Sequence, residues 1–277
     1  ASGLSYAPCR YGQSRIFFRG PKRSLDGRYI AFVGGTETYG KFLPRPFPAL
    51  VEELTGETCV NFGCVNASIG AFLSEPAVVQ ACRGAALNVV EVLGAQNLSN
   101  RFYTTHPRRN DRFLRANSVL RAIYPEIDLT DCCFTRHILR TLHGAGTDRF
   151  EILRVELQTA WLARMKRFLD QIGSHTLLLW FSDRVPSDAC WTDRPDPFRG
   201  DPLFVTRRML DQLRPLVQGV VVVQPTARAL ALGTDGMVHL PSNAAAAAEL
   251  LGAAAHREAA AAVAGAIRMA IPGTTAA

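Results

Sequence analysis

No apolar run in this sequence is long enough to cross a bilayer. The longest, Thr176–Phe181 and Gly219–Val223, fall far short of the roughly 20 residues a spanning helix needs. No basic-then-apolar leader opens the chain at Ala1, so a cytoplasmic location without a membrane span is the expectation. Cysteine is sparse, with seven residues and neither a CxxC pair nor a His spacing of the zinc-site kind. At this size and density buried reduced thiols are expected rather than a disulfide framework. No metal or other cofactor is expected. The glycine-rich string GGTETYG lacks the lysine spacing of a phosphate loop, and the GxGxxG dinucleotide fingerprint is missing. There is no internal repeat. No helix-turn-helix, zinc finger or RNP-like aromatic motif accompanies the positive charge, so nucleic acid is not the expected partner.

What the sequence does have is the composition of a globular protein. Hydrophobic residues make up 48% and charged residues 20% of 277, enough to bury one large core or two modest ones. The formal charge of +7 is unevenly spread. Arg10, Arg15, Arg19, Lys22 and Arg23 crowd the N-terminus, and residues 1–28 read as a basic arm. Arg101, Arg108, Arg109, Arg112, Arg115 and Arg121 crowd a second segment in which Asp111 is the only acid. Clusters of this kind attract phosphates, sulfates or carboxylates.

Residues 29–33 (YIAFV) form a near-continuous apolar run, the mark of a strand covered on both faces. Residues 47–54 follow as a helix with Pro48 in its first turn, then a strand at 59–62 and a helix entered through Pro76. Further strands are expected at 87–93, 176–181 and 219–223. Helices are expected at 149–172, 202–216 and 253–270, the first carrying apolar residues at threes and fours. This alternation predicts an α/β fold: a three-layer α/β/α sandwich on a mostly parallel five-stranded sheet, flavodoxin-like in outline. Residues 29–277 are read as one domain. It is interrupted at about 98–148 by a polar insertion with short helices, a candidate cap, and 182–200 reads as a long loop.

In open parallel sheets ligands gather at the carboxyl ends of the strands. That rule brings segments 34–40, 63–68, 94–100 and 182–186 to one rim. It also raises the question of whether Thr36 in Gly34-Gly35-Thr36-Glu37-Thr38-Tyr39-Gly40 is an attacking hydroxyl or only part of a turn.

Four blocks along the chain resemble the SGNH, or GDSL-type, hydrolases. Gly34-Gly35-Thr36-Glu37-Thr38-Tyr39-Gly40 has the frame of GDSxxxG. Asn61-Phe62-Gly63-Cys64-Val65-Asn66 is similar to NxGxxG, and Gly94-Ala95-Gln96-Asn97 to GxND. Asp235-Gly236-Met237-Val238-His239 is one residue longer than the closing DxxH, and His256 follows in the last helix. The strings RNDRF and GAQNLSNRFY are also similar to an uncharacterised alphaproteobacterial family. The SGNH resemblance implies an esterase or O-acyltransferase acting on a carbohydrate-like or small polar acyl ester. Thr36 would then be the nucleophile, His256 or His239 the base and Asp235 its partner, with Asn66, Gln96 and Asn97 around the oxyanion.

Every one of those blocks is altered, however. Threonine adds a methyl group beside the attacking oxygen, Asn66 stands where the family has glycine, and Gln96 reaches one methylene further. Asn66 suits a left-handed backbone better than most residues. A catalytically inactive module using the same rim to bind an anionic glycan or metabolite is the alternative. In either case Gly35, Asn100, Arg101, Tyr103, Arg108 and Arg109 are the candidate ligand contacts, because guanidiniums grip anions and a tyrosine ring can stack on a sugar.

Overall fold

The computed structural model describes residues 3–273. In chain order, β1 (Ile30–Gly34) runs into a one-turn helix, α1 (Thr36–Tyr39), and then α2 (Phe47–Thr55). Next come β2 (Cys59–Gly63), α3 (Ile69–Leu73), α4 (Pro76–Gly84) and β3 (Leu87–Glu91). The insertion holds β4 (Tyr103–Thr105), β5 (Phe113–Ala116), α5 (Ser118–Ile123) and α6 (Thr135–Gly144). The chain continues through α7 (Thr147–Ile172), β6 (Thr176–Phe181), α8 (Arg207–Leu213) and β7 (Gly219–Val223). It closes with α9 (Ala227–Ala231), α10 (Ala244–Ala248) and α11 (Ala253–Ala270).

The five long strands form one parallel sheet in the order β2-β1-β3-β6-β7. Successive side chains of a strand point to opposite faces, and β1 divides its core accordingly. Ile30 and Phe32 join Phe47, Val51, Ala259, Val263 and Ile267 under α2 and α11. Ala31 and Val33 face the other way, into the core with Phe72, Val78, Leu157 and Trp161 of α3, α4 and α7. Both faces are covered, giving the expected three-layer α/β/α arrangement.

The differences from the sequence reading lie at element ends and in the insertion. The helix expected from Pro202 starts only at Arg207, where Thr206 caps it by accepting the Met209 amide hydrogen. Residues 103–116, within the insertion expected to hold only short helices, form the antiparallel hairpin β4–β5. Its strands of three and four residues are too short, and its turn too polar, to show a period.

The N-terminal residues are not merely a charged arm. Cys9 and Phe18 pair backbone to backbone, and Tyr11, Ile16 and Phe18 enter the core beside Phe62. Arg19, expected among the anion-attracting cations, is 5% exposed. Its guanidinium donates to the carbonyls of Tyr39, Gly40, Leu43 and Pro44 at 3.0–3.1 Å, under the ring of Tyr6. It therefore satisfies the carbonyls of the segment that leaves α1.

Arg19→Leu should strand the carbonyls of Tyr39, Leu43 and Pro44, while Gly40 keeps the Leu43 amide, and destabilise the fold by about 3 kcal/mol. The check is the midpoint of urea unfolding, expected to fall with little change in slope. An unchanged midpoint would mean that the segment holds itself.

Candidate functional site

Residues from all four predicted rim segments line one cleft of about 690 Å³ at the carboxyl ends of the strands. They include Gly35 and Thr36 after β1, Asn66 after β2, Gln96 and Asn97 after β3, and Ser182 and Asp183 after β6. The far wall comes from Arg136 and Arg140 of α6, from Asp196, Phe198, Arg199 and Asp201 of the long loop, and from residues 248–252 before α11.

The turn after β1 is built around a buried carboxylate. Glu91, the last residue of β3, accepts at a single oxygen, Oε2, from the amides of Gly35 (2.9 Å) and Thr38 (3.2 Å) and from the Thr38 hydroxyl (2.5 Å). Glycine at position 34 is required by this approach, since a Cβ there would lie 2.0 Å from Thr38 Oγ1 and 2.3 Å from Glu91 Oε2. Burial pushes the Glu91 carboxyl up to about 7. The Thr38 hydroxyl opposes that shift, the nearby Glu37 charge adds to it, and the two amides again oppose it.

Thr36 presents its hydroxyl at the cleft but shares it with one residue. The Asn66 amide donates to Thr36 Oγ1 at 3.0 Å, and Thr36 Oγ1 donates to Asn66 Oδ1 at 3.3 Å. Asn66 adopts the left-handed conformation, φ 56°, as its side chain permits. It is held by Asp111, which accepts from Asn66 Nδ2 at 3.1 Å. The neighbouring Asn110 accepts from the Ser68 amide and hydroxyl, so the RNDRF string braces the loop after β2.

Both candidate side-chain amides are already donating within the protein. Gln96 Nε2 donates to Asp201 Oδ1 at 2.8 Å, and Asn97 Nδ2 donates to the Asn66 carbonyl at 3.2 Å. Asn97 Oδ1 accepts from Thr135 of α6 at 2.7 Å.

Neither histidine meets Thr36. His256 lies in the first turns of α11, fully buried among Phe47 and Phe181. Its Nδ1 accepts the Phe47 amide hydrogen at 3.1 Å, which leaves the ring proton on Nε2. Nε2 then donates to Glu37 Oε2 at 3.0 Å. Glu37 Oε1 accepts from the Leu251 amide at 3.1 Å, so this carboxylate is fixed at the wall of the cleft. His239 lies outside the cleft, its Nδ1 bonded to the Leu240 carbonyl and its ring edge-on to Phe42. Asp235 sits in an exposed turn, also outside the cleft and without a bond to either histidine.

The expected ligand contacts of the insertion fall elsewhere too. Tyr103 is buried with its hydroxyl on the Gln96 carbonyl at 2.6 Å. Asn100 closes a local turn by accepting from the amides of Phe102 and Tyr103. Arg101 pairs with Glu156 on the surface, and Arg108 and Arg109 are exposed outside the cleft. The arginines at the cleft are Arg136, Arg140 and Arg199, and each is paired. Arg136 meets Asp201 at 3.0 Å, Arg140 meets Asp196 at 2.7 Å and Arg199 meets Glu249 at 3.1 Å.

The sequence reading passed over Glu37, Glu91, Arg136 and Arg140. The one available signal was Glu91 itself, a carboxylate inside the apolar run LNVVEVL. Among the described residues, no group of three or more His, Cys, Asp or Glu side chains is arranged to hold a metal ion. Among the same residues, no helix is long and apolar enough to cross a membrane.

With this geometry in view, comparison with known proteins is informative mainly about family. Residues 1–271 match the family described as a domain of unknown function, DUF6473, and the chain belongs to that family. No curated protein matches. Among solved structures the chain is similar to the lipase Lip_vut3 from a goat rumen metagenome. The identity is 12%, over 89% of this chain and 97% of that one, with a TM-score of 0.43.

The raised Glu91 carboxyl makes a signed prediction about stability. Between its ordinary value of 4.5 and about 7, the folded protein keeps a proton that the unfolded chain has released. Stability therefore falls as pH rises through that window and levels off above it, by about 3 kcal/mol at most. Glu91→Gln should flatten this dependence, because the amide oxygen can still accept the turn's three donors. Thermal melts of both proteins from pH 4.5 to 8 check it. Parallel curves would place Glu91 at an ordinary carboxyl value.

Proposed function

We propose that this chain binds a small, neutral, hydroxyl-rich molecule of carbohydrate-like character in the cleft, without turnover through Thr36. The observation that carries the reading is the engagement of His256. Its lone pair takes the Phe47 amide and its single N–H goes to Glu37, so it has no free nitrogen to draw a proton from the Thr36 hydroxyl. The amides of Gln96 and Asn97 are likewise directed at protein acceptors.

The charge pattern supports a neutral ligand over an anionic one. Each arginine at the cleft already meets a carboxylate of its own. An entering phosphate or carboxylate would have to displace a resident partner, whereas hydroxyl groups can add to these paired charges without separating them. The volume of the cleft, about 690 Å³, falls within the ordinary range for small-molecule sites.

A second reading has one observation in its favour. Thr36 ends at the cleft with the Asn66 amide hydrogen on its hydroxyl, close to where an oxyanion donor would be needed. In that reading the chain is an esterase or O-acyltransferase, and His256 must exchange Glu37 for Thr36 during the reaction.

The two readings separate in one experiment. Short p-nitrophenyl esters and acetylated sugars are assayed with the wild type, Thr36→Ala and Thr36→Ser, alongside melts with neutral monosaccharides. Equal background rates for all three proteins, with stabilisation by a sugar, are the expected result. A rate abolished by alanine and raised by serine would establish the acyl-transfer reading instead.

A further inference from the structure

Glu91 holds the turn with only half of its carboxylate. All three of its protein donors converge on Oε2. Oε1 accepts from no described residue, and Glu91 lines the cleft while only 7% exposed. A carboxyl oxygen so placed has lost most of its water and calls for a donor. The cleft's own cations do not supply one, since Arg136, Arg140 and Arg199 are paired with Asp201, Asp196 and Glu249.

A hydroxyl group meets this need better than an ion does. Ionised, Oε1 accepts from a hydroxyl. Protonated, with Oε2 held by three donors, it carries the proton and donates to a hydroxyl oxygen instead, and in neither state has a second charge to be buried with it. Glu37 stands in the same wall with both oxygens fixed by Leu251 and His256, each still able to accept once more. Leu93 and Phe181 add apolar surface to the lining. Spaced acceptors beside apolar surface are the chemistry that a sugar ring presents in reverse, with hydroxyls on its rim and C–H groups on its faces.

We propose that Glu91 Oε1 is the acceptor that holds a hydroxyl group of a neutral pyranose at the floor of the cleft. The proposal rests on the ligand-binding reading above and assigns it a contact residue and a ligand class.

The test uses the full chain with D-glucose, D-galactose, D-mannose and N-acetylglucosamine, and with glucuronate and glucosamine as charged counterparts. Binding is followed by calorimetry and ligand-observed NMR. In Glu91→Gln the turn's three donors retain the amide oxygen, so an NH₂ faces the cleft where Oε1 was. At pH 8, above the raised Glu91 value of about 7, where Oε1 is an acceptor, binding of the neutral sugar should weaken at least tenfold (about 1.4 kcal/mol), with the melting temperature at pH 5 close to that of the wild type. One monodeoxy analogue of that sugar should bind the wild type poorly and Glu91→Gln no worse than the parent sugar does. Leu230→Trp, which enlarges an exposed side chain of the cleft lining, serves as the second variant.

If Leu230→Trp blocks binding and Glu91→Gln does not, the Glu91 assignment falls while the cleft reading stands. Preference for the charged sugars, with loss in Leu230→Trp, overturns the ligand class alone. Binding indifferent to both variants, or no binding of any sugar, overturns the proposal. In the indifferent case the cleft reading falls with it.

Discussion

One carboxylate oxygen organises the end of the sheet where the cleft opens. Glu91 Oε2 gathers the Gly35 amide, the Thr38 amide and the Thr38 hydroxyl, binding the central strand to the turn that carries Thr36 and Glu37. The approach is close enough that residue 34 tolerates no side chain. An ion would usually be avoided at such depth, because desolvation is costly. Here the cost falls where three donors are concentrated, and the raised carboxyl records how incompletely they offset it.

From that anchor the wall of the cleft is assembled by contacts that span the chain. Glu37, one residue beyond Thr36, reaches His256 in the closing helix and the Leu251 amide before it. Asn66 ties the Thr36 hydroxyl to Asp111 in the insertion, and Asn97 joins Asn66 to Thr135. On the opposite side Asp201 takes both Gln96 and Arg136. The result is a preorganised polar cleft in which each arginine of the lining is matched to a carboxylate. Such a site can recognise hydroxyl groups with little rearrangement, whereas proton transfer at Thr36 would require several of these bonds to exchange partners.

Much of the fold was legible because it depends on short-range pattern. The apolar runs at 29–33 and 176–181 became buried strands, the run at 219–223 became the edge strand with Val223 alone buried, and the three-and-four spacing of 149–172 became α7. The convergence of the four strand ends followed from the parallel topology alone. The hairpin of the insertion was not legible, because its strands are too short to show alternation. Nor was the burial of Arg19, since nothing in a basic cluster distinguishes the arginine that turns inward to four carbonyls from its solvated neighbours.

The site divides along the same line. Local sequence determined that a glycine turn would follow β1 with Thr36 upon it, that Asn66 could take a left-handed backbone, and that polar side chains would stand at the strand ends. Only the tertiary structure decided their partners. His256 and Glu37 are 219 positions apart, and Gln96 and Asp201 are 105 apart. Hydrogen bonds reach about 3 Å, so which donor serves which acceptor is settled by how the layers pack. That packing turned a histidine that looked free to act as a base into the holder of a carboxylate, and an amide that looked ready for an oxyanion into the partner of Asp201.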